Sequence, residues 1–232
     1  MRRSCKLLSQ ISQKFEAAKY CPTQVSMMTE ECIAVNAEDV AIRSVSKADA
    51  HRADSLVLHR AFSVFAFTPD RRLILQKRSD EKITFPGLWT NTCCSHPLSN
   101  EREMDGTIGA KRAAVRKLQH ELGIEGVEVD EMTMAGRFHY QAVMKEGEWG
   151  EHEMDYALIL PSMSIDRITI NENEVSQIKE VSHEELIRWV KKEPSSFTPW
   201  MKLFIGSERL TRWWNNLDNL KNVEDFRIHR MN

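Results

Sequence analysis

Between Phe85 and Leu98 the chain reads FPGLWTNTCCSHPL, which brings two thiols, an imidazole, an indole and an amide into one short stretch. Pro86, Gly87 and Pro97 break any helix, and no apolar residue recurs at helical spacing, so the stretch is extended and belongs to a site. In extended backbone successive side chains alternate faces, so Cys94 and His96 point one way while Cys93 and Ser95 point the other. A thiol beside a positive or metal-bound imidazole has its pKa lowered and becomes reactive, and the same pair also suits a metal. The plainer alternative is two small buried hydrophobes in a loop.

A second constellation follows at Trp149-Gly150-Glu151-His152-Glu153. Glu151 and Glu153 are two apart, so in a strand both carboxylates share a face about 7 Å apart, with His152 on the other. Two like charges held that close need a cation between them or one proton taken up; the alternative is a charged edge strand. His51, His59, His96, Glu151 and Glu153 together make a mixed nitrogen and oxygen set that suits a divalent first-row metal with five or six ligands. The set has no thiolate, which argues against a structural zinc cluster.

These groups need elements to hold them. Cys32 to Val40 alternates as a first strand, and Asp49 to Ser55 reads as a polar loop holding His51. Ala61 to Phe67 and Arg72 to Arg78 read as strands joined by Thr68-Pro69-Asp70-Arg71, a hairpin whose second strand carries basic residues toward the thiols. Apolar residues at helical spacing predict a helix from Thr107 to Leu122, stopped by Gly123. Arg112, Arg116 and Lys117 fall on its other faces, and Glu121 sits in its last turn, where the helix dipole disfavours a carboxylate. Either a cation meets it there or it is a solvated surface acid. Met134 to Met144, Glu151 to Leu160 and Ser176 to Val181 read as strands. Ser182-His183-Glu184-Glu185 is a capping box opening a helix, and Thr198-Pro199 starts a last helix running through Trp200, Phe204 and Leu210 to Trp214. Strands with helices between and after them predict a single α+β domain with a mixed sheet flanked by helices.

The chain of 232 residues is 41% hydrophobic, enough for one domain with a full core. With 32 basic and 34 acidic residues the formal net charge is -2, which gives no overall pull toward nucleic acid or an anionic membrane. No apolar run approaches the length of a membrane span. Cys5, Cys21, Cys32, Cys93 and Cys94 form no disulfide framework, which points to an intracellular, reducing compartment. Residues 1–15 carry four basic residues, no acid and a helical apolar face, readable as a mitochondrial presequence or as a basic arm. The cytoplasm is the first expectation, with mitochondrion and peroxisome as alternatives, although the ending Arg230-Met231-Asn232 is not an SKL-type signal. The expected division is an arm over 1–29, a domain over 30–220 and a tail over 221–232, acting as a monomer.

With HRAFSVF, QKRSDEKITFPGLWTNTCCSHPL, RKLQHELGI, WGEHEMDY and TPW in this order, the sequence resembles the type I isopentenyl-diphosphate isomerases of the Nudix superfamily over about residues 30 to 220. The resemblance implies a Nudix-like fold and interconversion of isopentenyl and dimethylallyl diphosphate in isoprenoid, including sterol, biosynthesis, by protonating one carbon and deprotonating another. It also implies a divalent metal (Mg²⁺, Mn²⁺ or Zn²⁺) on His51, His59, His96, Glu151 and Glu153, and a diphosphate-bridging Mg²⁺ through Glu121. Cys94 matches the family's catalytic thiol, Glu153 its second proton-transfer group, Tyr140 a tyrosine assisting that group, and Trp200 an aromatic wall. Arg78 and Lys82 match diphosphate contacts. Lys117 replaces a helix arginine and would meet phosphate as a point charge. A Nudix-type diphosphate hydrolase is the competing expectation and a non-catalytic metal-binding protein a third. Hydrolysis needs several helix carboxylates, whereas Arg116-Lys117 and His120-Glu121 leave one.

Overall fold

The computed structural model describes residues 17–231, so the basic stretch 1–15 lies outside the described residues. Strands β1 (Glu31–Val35), β2 (Ala41–Ser46), β3 (His59–Ala66), β4 (Leu73–Arg78), β5 (Trp89–Thr90), β6 (Cys93–Ser95), β7 (Thr133–Val143), β8 (Gly150–Leu160), β9 (Val175–Val181) and β10 (Asp225–Arg230) form two sheets. The larger runs β10-β7-β8-β3-β1-β2, with β6 also paired to β3; the smaller runs β5-β4-β9. Helices are α1 (Pro22–Met27), α2 (Lys47–His51), α3 (Gly106–Leu122), α4 (His183–Lys192), α5 (Pro199–Gly206) and α6 (Arg209–Asn215). Parallel pairs β3/β8 and β10/β7 sit among antiparallel ones, so the sheet is mixed as expected.

The large sheet has a core on each face. Ala110, Ala113, Ala114 and Leu118 of α3 pack on Phe62, Val64, Met154, Tyr156 and Leu158. Residues of opposite parity on β3 and β8, Phe65, Ala157 and Ile159, join Phe138 of β7 in packing on Trp200, Phe204, Trp213 and Trp214 of α5 and α6. Period-two alternation on β3 and β8 thus assigns one face to α3 and the other to the aromatic helices. On the second face, toward the N-terminal end of β8, charged residues replace the apolar ones, and the site forms there.

Several expectations are corrected. The segments around Thr68-Arg72 do turn there, with Arg71 N–H donating to Thr68 O at 2.8 Å, but they do not form a hairpin. β3 is already flanked by β1, β6 and β8, so β4 leaves after one bridge, Phe67 to Leu73, and joins the second sheet. Cys32 to Val40 is interrupted at Asn36, whose Oδ1 accepts from the Glu38 and Val40 N–H groups and turns the chain into β2. The last helix is two, separated at Glu208, which adopts a left-handed φ of 58°. The tail contains β10, which lies beside β7, and the arm contains α1, whose Gln24 side chain bonds Glu174 at 3.0 Å. Lys117 is 2% exposed, not on an outer face.

Candidate active site

Five buried ligand-type side chains, His51, His59, His96, Glu151 and Glu153, offer atoms that all lie within 4.8 Å of one another. Strand parity delivers three of them: His59 opens β3 and pairs in register with Glu153 of β8, and Glu151 lies two residues back on the same face. His96 follows β6 directly. His51 comes from the last turn of α2, not from a loop: Ser46 accepts the Asp49 N–H as an N-cap, and the turn it nucleates carries the ring inward.

The backbone fixes which imidazole nitrogens are free. His51 Nδ1 donates to Lys47 O and His59 Nδ1 to Val57 O, both at 2.7 Å. A carbonyl only accepts, so each ring carries its proton on Nδ1 and presents a bare Nε2 lone pair. Both Nε2 atoms are buried without a hydrogen-bond partner, as are His96 Nδ1 and Glu151 Oε2. His51 Nε2 stands 2.7 Å from Glu151 Oε2, lone pair against carboxylate. A divalent cation resolves that arrangement, and the three-imidazole, two-carboxylate donor set fits one.

Burial, with His51 adding to it, holds His59 down at about 3, and burial with the two neighbouring rings holds His96 well below the usual imidazole range. Burial raises the Glu151 carboxyl, and a positive charge between it and His51, a proton or a metal ion, would bring it down. The depressed imidazoles give a stability prediction for the metal-free protein. The unfolded chain takes up a proton at His59 below its value of 6.5, while the folded chain does not until about 3. The His59 contribution to stability is therefore complete above 6.5 and lost as pH falls, by up to about 1.4 kcal/mol per pH unit for one such group. The difference in urea midpoint between chelated wild type and His59→Gln at pH values of about 7.5, 6 and 5 reads this; a difference that does not change with pH would refute a neutral, buried ring.

Next to the ligands a narrow cavity of about 30 Å³ is lined by Cys94, Glu153, Arg78, Lys82 and Trp200, together with Met27 and Met28 from the N-terminal segment. It holds only a few waters, so a larger guest must part its walls. Burial, then Glu151 and Asp155, pushes Glu153 well above the carboxylate range. Tyr140 O–H donates to Glu153 Oε2, and His96 Nε2 meets Oε1 at 2.9 Å. Burial and Glu153 raise the Tyr140 phenol well above its ordinary value, so it stays a donor. Burial pushes the Cys94 thiol up to about 12 against the pull of Arg78, whose Nη1 lies 3.7 Å from Sγ. The expectation of a thiol activated by imidazole is thus corrected: the neighbouring cation is a guanidinium, burial outweighs it, and Cys94 is a neutral S–H.

Arg78 is also tied down, donating from Nε to Phe85 O at 2.9 Å and from Nη2 to Thr84 O at 2.6 Å, with its guanidinium 5.6 Å from the Trp200 ring. Phe85 stands edge-on to Trp200 at 5.4 Å and holds a left-handed φ of 47°, unusual for a bulky residue. Cys93 and Cys94 face opposite ways, as alternation requires; Cys93 Sγ lies 3.5 Å from Glu121 Oε2 on the α3 side. Glu121 and Lys117 do not line the cavity. They form a buried charge group in which Lys117 Nζ is 3.1 Å from Glu121 and 3.7 Å from Glu174, and Lys82 meets Glu174. Glu121 thus has its cation, which offsets its place at a helix C-terminus. Lys82 joins this group to the cavity. Sequence reasoning missed Glu174, Gln24 and the N-terminal methionines, for which no local motif exists.

A NUDIX domain model matches residues 57–201, more than half of the chain, so by fold and site it belongs to the NUDIX class. It is 48% identical over 209 residues to the isopentenyl-diphosphate delta-isomerase of Phaffia rhodozyma, covering 86% of this chain and 82% of that one. The enzyme of that name from Schizosaccharomyces pombe is 42% identical over 230 residues, covering 95% and 99%. Isopentenyl-diphosphate Delta-isomerase 1 of Mesocricetus auratus is 45% identical over 221 residues, covering 90% and 95%. Within the NUDIX class, the chain belongs to the isopentenyl-diphosphate delta-isomerase family.

Proposed function

We propose that this protein interconverts isopentenyl diphosphate and dimethylallyl diphosphate. A proton is added to the terminal methylene carbon, the positive charge rests on the adjoining tertiary carbon, and a proton leaves the neighbouring chain carbon to form the new double bond. The observation that carries the reading is that a neutral thiol, a protonatable carboxyl and an indole face line one cavity beside the metal-ligand cluster.

Two proton-exchanging groups are needed, and Cys94 and Glu153 are the two this cavity supplies, with Tyr140 holding Glu153 by a hydrogen bond. Trp200 offers a π face to the carbocation, an attraction worth about 2 kcal/mol when desolvated, without a lone pair that would trap it. Met28, Ile83 and Trp200 give the cavity its apolar side, and its small volume leaves little room for water, which would add to the cation. His51, His59, His96, Glu151 and Glu153 would hold a divalent metal, Mg²⁺, Mn²⁺ or Zn²⁺, which supplies fixed positive charge that orients Glu153 and tunes its acidity. Lys82 and Arg78 are the cationic lining toward which the diphosphate is directed, with Lys117 behind them. Glu121, buried with its Oε1 3.1 Å from Lys117 Nζ, would be the carboxylate for a diphosphate-bound Mg²⁺. The catalytic unit proposed is the monomer.

Incubation with isopentenyl diphosphate in D₂O tests the reading. The expected product is dimethylallyl diphosphate carrying deuterium; released phosphate would point to hydrolysis instead, and unchanged substrate would end the proposal.

A further inference from the structure

Asn91, in the turn between β5 and β6, is fully buried, and all four hydrogen-bonding positions of its amide are used. Nδ2 donates to Val64 O at 3.1 Å and to Cys93 O at 2.8 Å. Oδ1 accepts from Thr90 Oγ1 at 2.8 Å and from the Trp200 indole Nε1 at 3.1 Å. Two carbonyls can only accept and an indole N–H can only donate, so the amide has one admissible orientation. Thr198 extends the network. It stands at the N-cap of α5, yet its hydroxyl caps nothing and instead donates to Thr90 Oγ1 at 3.0 Å.

The placement has a consequence for chemistry. Val64 and Cys93 are register partners across β3 and β6, so Nδ2 grips the strand pair immediately beside Cys94. Oδ1 grips the indole at the start of α5. One rigid amide therefore spans from the strand bearing the thiol to the aromatic wall. The apolar packing of Trp200 on Phe85 and Tyr140 presses the ring without fixing its rotation; the Nε1 bond fixes it. A satisfied buried network of this kind specifies one geometry, because each displaced member leaves a buried group unpaired.

We infer that Asn91 is a positioning residue that sets the Trp200 face relative to the Cys94 thiol and so governs the rate of the proton-transfer steps while leaving diphosphate binding alone. The inference rests on the isomerase reading above. A displacement of about 1 Å at a reacting centre costs on the order of 100-fold in rate, so Asn91→Ala is expected to lower kcat about 10- to 100-fold with KM within about threefold.

The decisive measurement is a double-mutant cycle with Trp200→Phe, which keeps an aromatic face and deletes the N–H. If Asn91 acts through that bond, Asn91→Ala costs less than about threefold further in kcat in the Trp200→Phe background. In fluorotryptophan-labelled protein, the Trp200 resonance, identified by its loss in Trp200→Phe, should shift or broaden in Asn91→Ala. Should Asn91→Ala not fold, Thr90→Val keeps the shape of the side chain while deleting the donor to Oδ1 and the acceptor for Thr198, and is expected to lower kcat about three- to tenfold at constant KM. An unchanged kcat, a loss carried by KM, or fully additive costs in the cycle would overturn the assignment. Wild-type protein that fails to isomerise at all would instead remove the activity on which the inference rests.

Discussion

Cys94→Ala is expected to lower kcat by about 10²- to 10⁴-fold, the range for losing one proton-transfer group, and to leave the bound metal in place. The two halves of that result come from different faces of the geometry. Cys94 lines the cavity but contributes no atom to the ligand cluster, whose donors come from α2, β3, β8 and the residue after β6. Its thiol is held at about 12 by burial, so it carries a proton at neutral pH, and alanine offers neither that proton nor a base to receive one. The change removes one sulfur beside Arg78, whose other donors stay bonded to Thr84 and Phe85, so the wall remains standing. Steady-state kinetics with metal content measured on the same sample checks both halves. Turnover within tenfold of wild type would remove Cys94 from the mechanism, and loss of metal would place the thiol in the cluster.

The second large effect separates two histidines. His96→Ala should weaken metal binding by at least about 100-fold and abolish activity, whereas His152→Ala should leave metal content unchanged. His152 sits between Glu151 and Glu153 in sequence, and a motif read by proximity would include it. Alternation along β8 excludes it: its ring points to the other face and meets His139, Nε2 to Nε2, at 2.9 Å. His96 lies with its ring centre 4.7 Å from His51 and 4.8 Å from His59, and Glu153 depends on it for a partner. Metal content after dialysis against trace chelator decides the matter. Equal retention in both variants would mean that the cluster is not the metal site, and loss in His152→Ala alone would invert the face of β8.

How far the site was legible follows from the range of each rule. Parity along an extended segment is a local property, so the opposite facing of Cys93 and Cys94, and the common face of Glu151 and Glu153, could be read before any fold was known. The capping box before α4, Pro199 at the first position of α5, and Gly123 after α3 with its φ of 63° are equally local, whereas the Thr198 hydroxyl, expected as a cap, is drawn off to Thr90. Where prediction failed, a non-local choice had intervened. The turn at Thr68 was right, yet the two strands it joins diverge, because pairing is decided by which edges are free and not by the turn itself. His51 was assigned to a loop because a five-residue helix is too short to show periodicity.

The sequence by itself determined the residue types of the site, the faces on which they lie within each strand, and, through separated motifs, the family. Only the tertiary structure decided the ionisation of those groups and their company. Whether Cys94 is thiolate or thiol depends on how much water reaches it, and whether the Lys117–Glu121 pair, one turn apart on α3, is solvated or buried depends on what packs over it, Glu174 and Lys82 included. Desolvation and through-space charge depend on distances that the chain sets only by folding, and no pattern of neighbouring letters encodes them.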